Sequence, residues 1–480
     1  MKFRLVFIPL LFPIAALAQQ WMDKQYDYTS TLNVVYGTAK NFNNGIDTLK
    51  MNIYTPVCDN PTPALKRPLL VWVHGGAFLA GNKDDPSITN LCQQFAKRGY
   101  VTASIDYRLG FISDDNPWNC NYPNYSCVFA ADSAEWHRAL YRGIQDGKGA
   151  VRYLVNRYAQ LGIDTSNIFV AGESAGAFVA LGIALLDTTL ERMPQTYQIA
   201  DAPKPSPNTA SCIYNVNKTF SSNTIPRPDL GDIEGNIAPT TIRYTIKAVG
   251  NMYGAVTNDL LKYHKANQPK PAIFSFHQPC DLVVPIDSGV VYQGLSWCFT
   301  NGYNCYGIAH TPKVYGSRII SKWNTVHNYG YNIHDEFTSI NFPYNFLFGQ
   351  GSCADQVNYP CHAYDNTSLR EGNLANFFSE LITTNPPLCD STNITQNITA
   401  LGHQLSVYPN PAQDKLTVQY YTDQPWELSI LDMYGRVVFQ RALSNAEMAK
   451  IEMATYPNGL YLIVVTSKKG PRLSKIVVKI

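Results

Sequence analysis

Gly172-Glu173-Ser174-Ala175-Gly176 sets one serine between two glycines, with the β-type run "NIFVAG" (167–172) before it and helix-forming "AGAFVALGIALL" (175–186) behind it. A serine at a sharp strand-to-helix turn holds its hydroxyl clear of the sheet. The helix start offers free N–H groups and a positive dipole end to a developing oxyanion. That chemistry is nucleophilic acyl transfer, and Ser174 is the candidate nucleophile. A second stretch, "HGGAF" (74–78), directly follows the apolar run "LLVWV" (69–73). Consecutive glycines free backbone amides to face a substrate oxygen, so Gly75 and Gly76 join Ala175 as candidate oxyanion donors. His74 reads as a brace for this loop. Glu173 would sit near the floor of a gorge, fixing the loop or meeting a buried water, with no catalytic role assigned. A serine hydroxyl reacts only when a base removes its proton and a carboxylate orients that base. Downstream, Asp281 and Asp287 are available as the acid, and His310, His327, His334 and His362 as the base.

These residues need elements to carry them. "LLVWV", "VTASIDY" (101–107), "NIFVAG" and "AIFSF" (272–276) are apolar or β-rich runs suited to parallel strands buried on both faces. Between them, "SITNLCQQFAKRG" and "ALYRGIQDGKGAVRYLVNRYAQLG" have helical spacing and end in glycine. This is the grammar of an α/β sheet, preceded by an antiparallel start in "TLKMNIYTP" (48–56). No internal repeat is visible. "TVHNYGYNI" (325–333) reads as the final strand, with His334 at its end, and "LREGNLANFFSELI" (369–382) as a closing helix.

With the elbow and the glycine loop in place, residues 30–385 resemble the carboxylesterase branch of the α/β-hydrolases, a mostly parallel sheet flanked by helices. The resemblance is carried by "HGGAF", "DYRLG" (106–110), "RGIQDGKGAVRYL" (142–154), "GIDTSNIFVAGESAGA" (162–177) and "HQPCDLVVP" (277–285), in that order. It implies ester hydrolysis through an acyl-serine intermediate without a cofactor or metal. It also implies the chain order Ser, acid, His. Asp281 sits in the loop that resembles the family's acid-bearing loop and is taken ahead of Asp287. His334 best matches the position of the family's base, with His362 its rival. The catalytic set expected from the sequence is therefore Ser174, Asp281 and His334. A serine peptidase or amidase would use the same residues, and a non-catalytic hydrolase-fold binding module would more often have lost one of them.

The 480 residues are 45% hydrophobic and carry 38 Lys plus Arg against 36 Asp plus Glu, a net charge of +2 without a basic stripe. Nucleic acid is thereby an unlikely partner. "MKFRLVFIPLLFPIAALAQQ" opens with Lys2 and Arg4, runs apolar, and reaches Ala16-Leu17-Ala18, so residues 1–18 read as a signal peptide. No later run approaches the length of a membrane span. Eleven cysteines suit an oxidising compartment, and an odd count leaves at least one unpaired. Close spacing suggests three local clips, Cys120 to Cys127, Cys298 to Cys305 and Cys353 to Cys361. Two insertions are expected above the sheet: 111–136, where Trp118, Tyr122, Tyr125 and Trp136 are candidate pocket residues, and a lid at about 187–245 too rich in Pro and Ser for regular structure.

Residues 19–385 thus form the expected catalytic domain and 386–404 a linker. Residues 405–480 form a small C-terminal β-sandwich of alternating runs with Asn-Pro and Asn-Gly punctuation. "YPNPAQDKLTV" (408–418), "DMYGR" (432–436) and "NGLYLIVV" (458–465) resemble the C-terminal sorting domain of the Bacteroidetes type IX secretion system. That resemblance implies handling by the secretion machinery and a secreted or cell-surface location.

Overall fold

The apolar runs become the middle of one sheet. In the computed structural model the described residues are 21–58, 66–112, 132–203, 224–265, 268–292, 311–339 and 361–384, with 405–408, 411–420, 425–432, 436–444, 448–467 and 473–479 in the tail. The main sheet has eight strands: β1 (Tyr28–Lys40), β2 (Ile46–Pro56), β3 (Arg67–Val73), β4 (Val101–Ile105), β5 (Ile163–Glu173), β6 (Ile246–Met252), β7 (Ala272–Phe276) and β8 (Ile333–Glu336). Their order is β1-β2-β4-β3-β5-β6-β7-β8. β1 and β2 pair antiparallel and β2 meets β4 antiparallel, while every later pairing is parallel. β3, β4 and β7 are buried at every position, as strands covered on both faces must be.

Helices cover both faces. The first, α1 (Pro86–Ala96), starts on an Asp85 cap whose carboxylate accepts from the amides of Ser87 and Ile88. α2 (Ser133–Val155) is capped by Asp132 in the same way, and α3 (Ala175–Leu185) is apolar around its whole circumference because it lies inside. Further along lie α4 (Ser317–Val326) and α5 (Thr367–Leu381). Two stretches far apart in sequence lock together here. Arg108 of "DYRLG" reaches Asp146 of α2 through its backbone amide at 2.8 Å and its Nε at 2.9 Å, both groups buried. A buried carboxylate is tolerable only with such a partner.

The final strand is shorter and later than the sequence suggests. Residues Ser317–Val326 are helical, His327 caps that helix, and β8 begins only at Ile333. Ile320 and Trp323, three residues apart, serve one packed helix face, and tertiary packing overrides the β-type reading of "TVHNYGYNI".

In the segment expected as a lid, Ile199–Pro203 and Thr224–Arg227 pair as a two-stranded antiparallel ribbon, so regular structure does occur there. Pro203 and Pro226 are admissible because both strands are edges. Arg138 of α2 donates to the carbonyls of Gln195, Tyr197 and Pro228, holding the region to the catalytic body. Trp118, Tyr122 and Tyr125, and the pairs Cys120 to Cys127 and Cys298 to Cys305, lie outside the described residues, as does the leader.

By contacts the chain divides into two units, Met1–Leu388 and Cys389–Ile480. The second holds β9 (Leu405–Tyr408), β10 (Lys415–Tyr420), β11 (Trp426–Asp432), β12 (Val437–Leu443), β13 (Met448–Glu452), β14 (Gly459–Ser467) and β15 (Leu473–Lys479). They form two antiparallel sheets, β9-β10-β13 and β12-β11-β14-β15, around a core that includes Leu416, Val418, Trp426, Leu428 and Ile463. Among the described residues, no helix is long and apolar enough to cross a membrane.

Candidate active site

Ser174 stands at the end of β5 and opens α3 with φ 52° and ψ −125°, a left-handed backbone that a non-glycine residue adopts only under constraint. The constraint is local. Its amide donates to the Met252 carbonyl at 3.0 Å, and its carbonyl accepts from Ala177 at 2.9 Å. The flanking glycines are there for space. A Cβ on Gly172 would lie 2.2 Å from the Gly176 carbonyl oxygen, and one on Gly176 would lie 2.2 Å from that of Val73.

The "HGGAF" loop lies against this turn. A Cβ added to Gly75 would come within 3.2 Å of Ser174 Cβ, and the chain then runs through positive φ at Gly76, Ala77 and Phe78. His74 braces the loop: its Nδ1 donates to the Gly75 carbonyl at 2.7 Å and its ring stacks on Tyr107 at 4.5 Å. Burial lowers its pKa to about 4, so it stays neutral.

Asp281 follows β7. Its Oδ1 accepts from the amides of Val283 at 2.8 Å and Val284 at 2.9 Å, and its side chain is fully buried. Burial raises its pKa, but the charge of His362 and hydrogen bonds from His277 and His362 outweigh burial and hold it below the usual value. The histidine that meets it is His362. Its Nδ1 lies 2.7 Å from Asp281 Oδ2 and its Nε2 lies 2.8 Å from Ser174 Oγ.

His334, the base expected from the sequence, is not in this cluster. It lies in β8 opposite Phe274, exposed, its ring stacked on Phe274 at 5.4 Å and near Phe377 at 5.8 Å. An edge-strand side chain in that register faces α5 and not the elbow. The pairing expected for Cys361 is also corrected: its partner is Cys280, 81 residues away, and not Cys353. Cys92 is a buried free cysteine.

Three groups around the cluster were not singled out from the sequence. His277 lies behind Asp281, 3.3 Å from Oδ2, and its Nδ1 is 2.8 Å from Ser317 Oγ. Tyr253 packs edge-on against His362 at 4.6 Å. Gln278, with its amide in the orientation that satisfies both ends, donates to the carbonyls of Cys361 at 2.9 Å and Ala363 at 2.8 Å. His277 and Gln278 both belong to "HQPCDLVVP", so their nearness to Asp281 was the one available signal.

Glu173 is half-buried next to the serine, accepting from Ser87 Oγ at 3.1 Å and Tyr253 OH at 3.2 Å. Burial first, and then the charge of Asp85, pushes its carboxyl up to about 7. Between its unfolded value and that raised value the native chain binds more protons than the unfolded one, so stability falls as pH rises through the window. The loss is about 3 kcal/mol in order of magnitude. Glu173→Gln removes it. Urea unfolding should therefore show the variant gaining on the wild type between pH 5 and pH 8, and an equal difference at both pH values would refute the buried titration.

Beside Ser174 lies a narrow apolar pocket walled by Phe78, Trp136, Phe178, Val284 and Tyr292. Trp136 packs edge-on to both Phe78 and Phe178, at 4.8 Å and 5.3 Å. Among the described residues, no group of three or more His, Cys, Asp or Glu side chains could hold a metal ion.

A serine elbow after β5 and a glycine loop after β3, both on a mostly parallel sheet, define an α/β-hydrolase. Residues 51–119 and 133–273 match the BD-FAE family, an α/β-hydrolase esterase domain, and residues 406–479 match the family described as a secretion system C-terminal sorting domain. The chain thus holds a stretch similar to α/β-hydrolase esterases and a type IX sorting domain, and the latter marks it for export to the cell surface or beyond.

Curated relatives include phenmedipham hydrolase of Pseudarthrobacter oxydans, 30% identical over 29% of this chain and 23% of its own length. Carboxylesterase 3B of Mus musculus is 27% identical over 29% of this chain and 21% of its own, and secreted lipase 5 of Gibberella zeae 28% identical over 28% and 24%. The chain therefore spans less than a quarter of the length of each. Among solved structures, esterase 2 of Thermogutta terrifontis phosphoramylated by tabun aligns over 73% of this chain and 93% of its own, with 16% identity and a TM-score of 0.36.

Proposed function

We propose that the chain is an exported serine carboxylesterase whose triad is Ser174, His362 and Asp281. The observation that carries this reading is the pair of contacts made by His362, 2.8 Å to Ser174 Oγ and 2.7 Å to Asp281 Oδ2. His362 Nε2 takes the Ser174 proton as Oγ attacks the ester carbonyl, and Asp281 holds the Nδ1–H tautomer. The amides of Gly75, Gly76 and Ala175 stabilise the oxyanion. The imidazolium then returns its proton to the leaving alkoxide. A water activated by the same histidine releases the acid, and no cofactor is needed. The narrow aromatic pocket receives the acyl group and favours short chains over long ones.

Under the same reading, residues 1–18 are a signal peptide, 19–385 the catalytic domain with a lid at about 187–245, and 386–404 a linker. Residues 405–480 are the handle taken by the secretion machinery.

The test is turnover of p-nitrophenyl acetate, butyrate and octanoate beside peptide p-nitroanilides by the full chain. Ester kcat/KM should exceed that of the anilides, with acetate and butyrate ahead of octanoate. Preferential anilide cleavage would make the protein a peptidase or amidase on the same fold. Failure to turn over either class while folded would favour a binding module.

A further inference from the structure

Two residues of the proposed triad are each preceded by a cysteine, and those cysteines are bonded to each other. Cys280 precedes Asp281, Cys361 precedes His362, and the Cys280–Cys361 disulfide holds their Cα atoms 5.6 Å apart. We infer that this disulfide is a positioning element of the active site, setting the base against the acid, so that catalytic competence depends on its oxidation. The inference rests on the triad reading above.

The two loops have unequal support. Asp281 is anchored by the amides of Val283 and Val284 directly beyond β7. His362 has no strand beneath it. It belongs to the short stretch 361–366 ahead of α5, and Cys361 holds a left-handed φ of 56°. A non-glycine residue keeps that conformation only where its surroundings impose it. Among the described residues, those that hold it include Cys280 through the bond, Gln278 through its amide on the Cys361 carbonyl, and Asp281 and Tyr253 through the His362 imidazole.

Gln278 and Cys280 both come from the acid-bearing loop, so that loop carries most of what places the base. The disulfide is the one covalent connection in this set. It joins the loops across 81 residues of chain, a separation at which free ends would meet rarely.

Catalytic geometry must hold to about 0.5 Å, and a misplacement of about 1 Å costs about 100-fold in rate. Without the bond, His362 would sample positions away from Asp281 and Ser174, whereas the pocket beside Ser174 takes Val283 and Val284 from the anchored acid loop and Phe78, Trp136 and Phe178 from other elements, with no residue of 361–366 among its described walls. The loss should therefore fall on kcat rather than KM. Cys280 is partly exposed and Cys361 is buried, so a thiolate reagent reaches the bond from the Cys280 side. Attack by a dithiol breaks the S–S bond, leaves two protein thiols, and converts the reagent's two thiols to its cyclic disulfide. Export keeps the pair oxidised, and the reducing conditions of synthesis would keep the enzyme idle.

The experiment compares the full-length wild type with the Cys280→Ala/Cys361→Ala double variant, by p-nitrophenyl butyrate kinetics and by the rate at which a fluorophosphonate labels Ser174. Both are read at a temperature where circular dichroism shows the variant folded. kcat and labelling rate should each fall about 100-fold, with KM within about threefold. A folded variant with kcat within threefold of wild type would overturn the inference.

Should the double variant not fold, native wild type is poised in dithiol buffers of graded potential, and Cys280 and Cys361 are mapped by alkylation. Activity should fall in step with those two thiols at constant circular dichroism and return on reoxidation. Full activity with the pair alkylated overturns the inference. A wild type that neither turns over ester nor labels at Ser174 would instead refute the triad reading on which it rests.

Discussion

Alanine at either Ser174 or His362 should lower kcat for ester hydrolysis by about 10⁴–10⁶, whereas alanine at His334 should leave it within about twofold. The asymmetry follows from position. His362 Nε2 stands 2.8 Å from the nucleophile, while His334 packs on Phe274 and Phe377 in the edge strand β8. Because nucleophile and base act as a unit, the double variant Ser174→Ala/His362→Ala should lose no more than either single one. In free-energy terms the expected loss is about 5–8 kcal/mol of transition-state stabilisation, beyond what a shifted loop or lost packing supplies. The measurement is steady-state kinetics on p-nitrophenyl butyrate, with thermal unfolding as the control for folding. A His334→Ala variant as impaired as His362→Ala would show that the site rearranges before it works.

Asp281→Asn should reduce kcat by about 10³–10⁴ while leaving the fold intact. In the wild type one carboxylate oxygen is occupied by the amides of Val283 and Val284, and the other meets His362 Nδ1. An asparagine can satisfy those two amides only with its carbonyl oxygen. Its NH2 group is then turned toward His362, where it can only donate. Nδ1 must become the acceptor, Nε2 carries the proton, and the ring can no longer take one from Ser174. His277 cannot compensate, because its Nδ1 meets Ser317 and its Nε2 lies between the Val284 carbonyl and the acid's own oxygen, so it offers His362 no acceptor. A loss of less than tenfold would mean that Tyr253 and the neighbouring disulfide orient His362 without the acid. The carboxylate would then not be what fixes the tautomer of His362.

What could be read without coordinates was whatever is encoded locally. The runs at β3, β4, β5 and β7 are apolar because both faces of a central strand are covered, so burial writes itself into consecutive residues. The elbow around Ser174 was readable because a strained turn between strand and helix demands glycine at fixed offsets. The loop at Gly75 and Gly76 was readable for a similar reason. Asp281 came from the resemblance of its loop, and the structure sets it beside His362.

The base was not readable in this way. His334 and His362 are both histidines near loops after the last predicted strand, and no nearby residue distinguishes them. The choice also leaned on a strand assignment that failed, since residues 317–326 are helical and β8 spans only 333–336. The cysteine pairing failed for the same physical reason. Proximity in sequence favoured Cys353 for Cys361, but the sheet brings the loop after β7 to the segment before α5, and there Cys280 is the neighbour. The sequence by itself determined the sheet's buried strands and the turn that presents Ser174, because short-range sterics and hydrophobic burial leave a local record. Which histidine completes the site, and which cysteine holds it there, is a contact between segments 81 residues apart that only the packed chain decides.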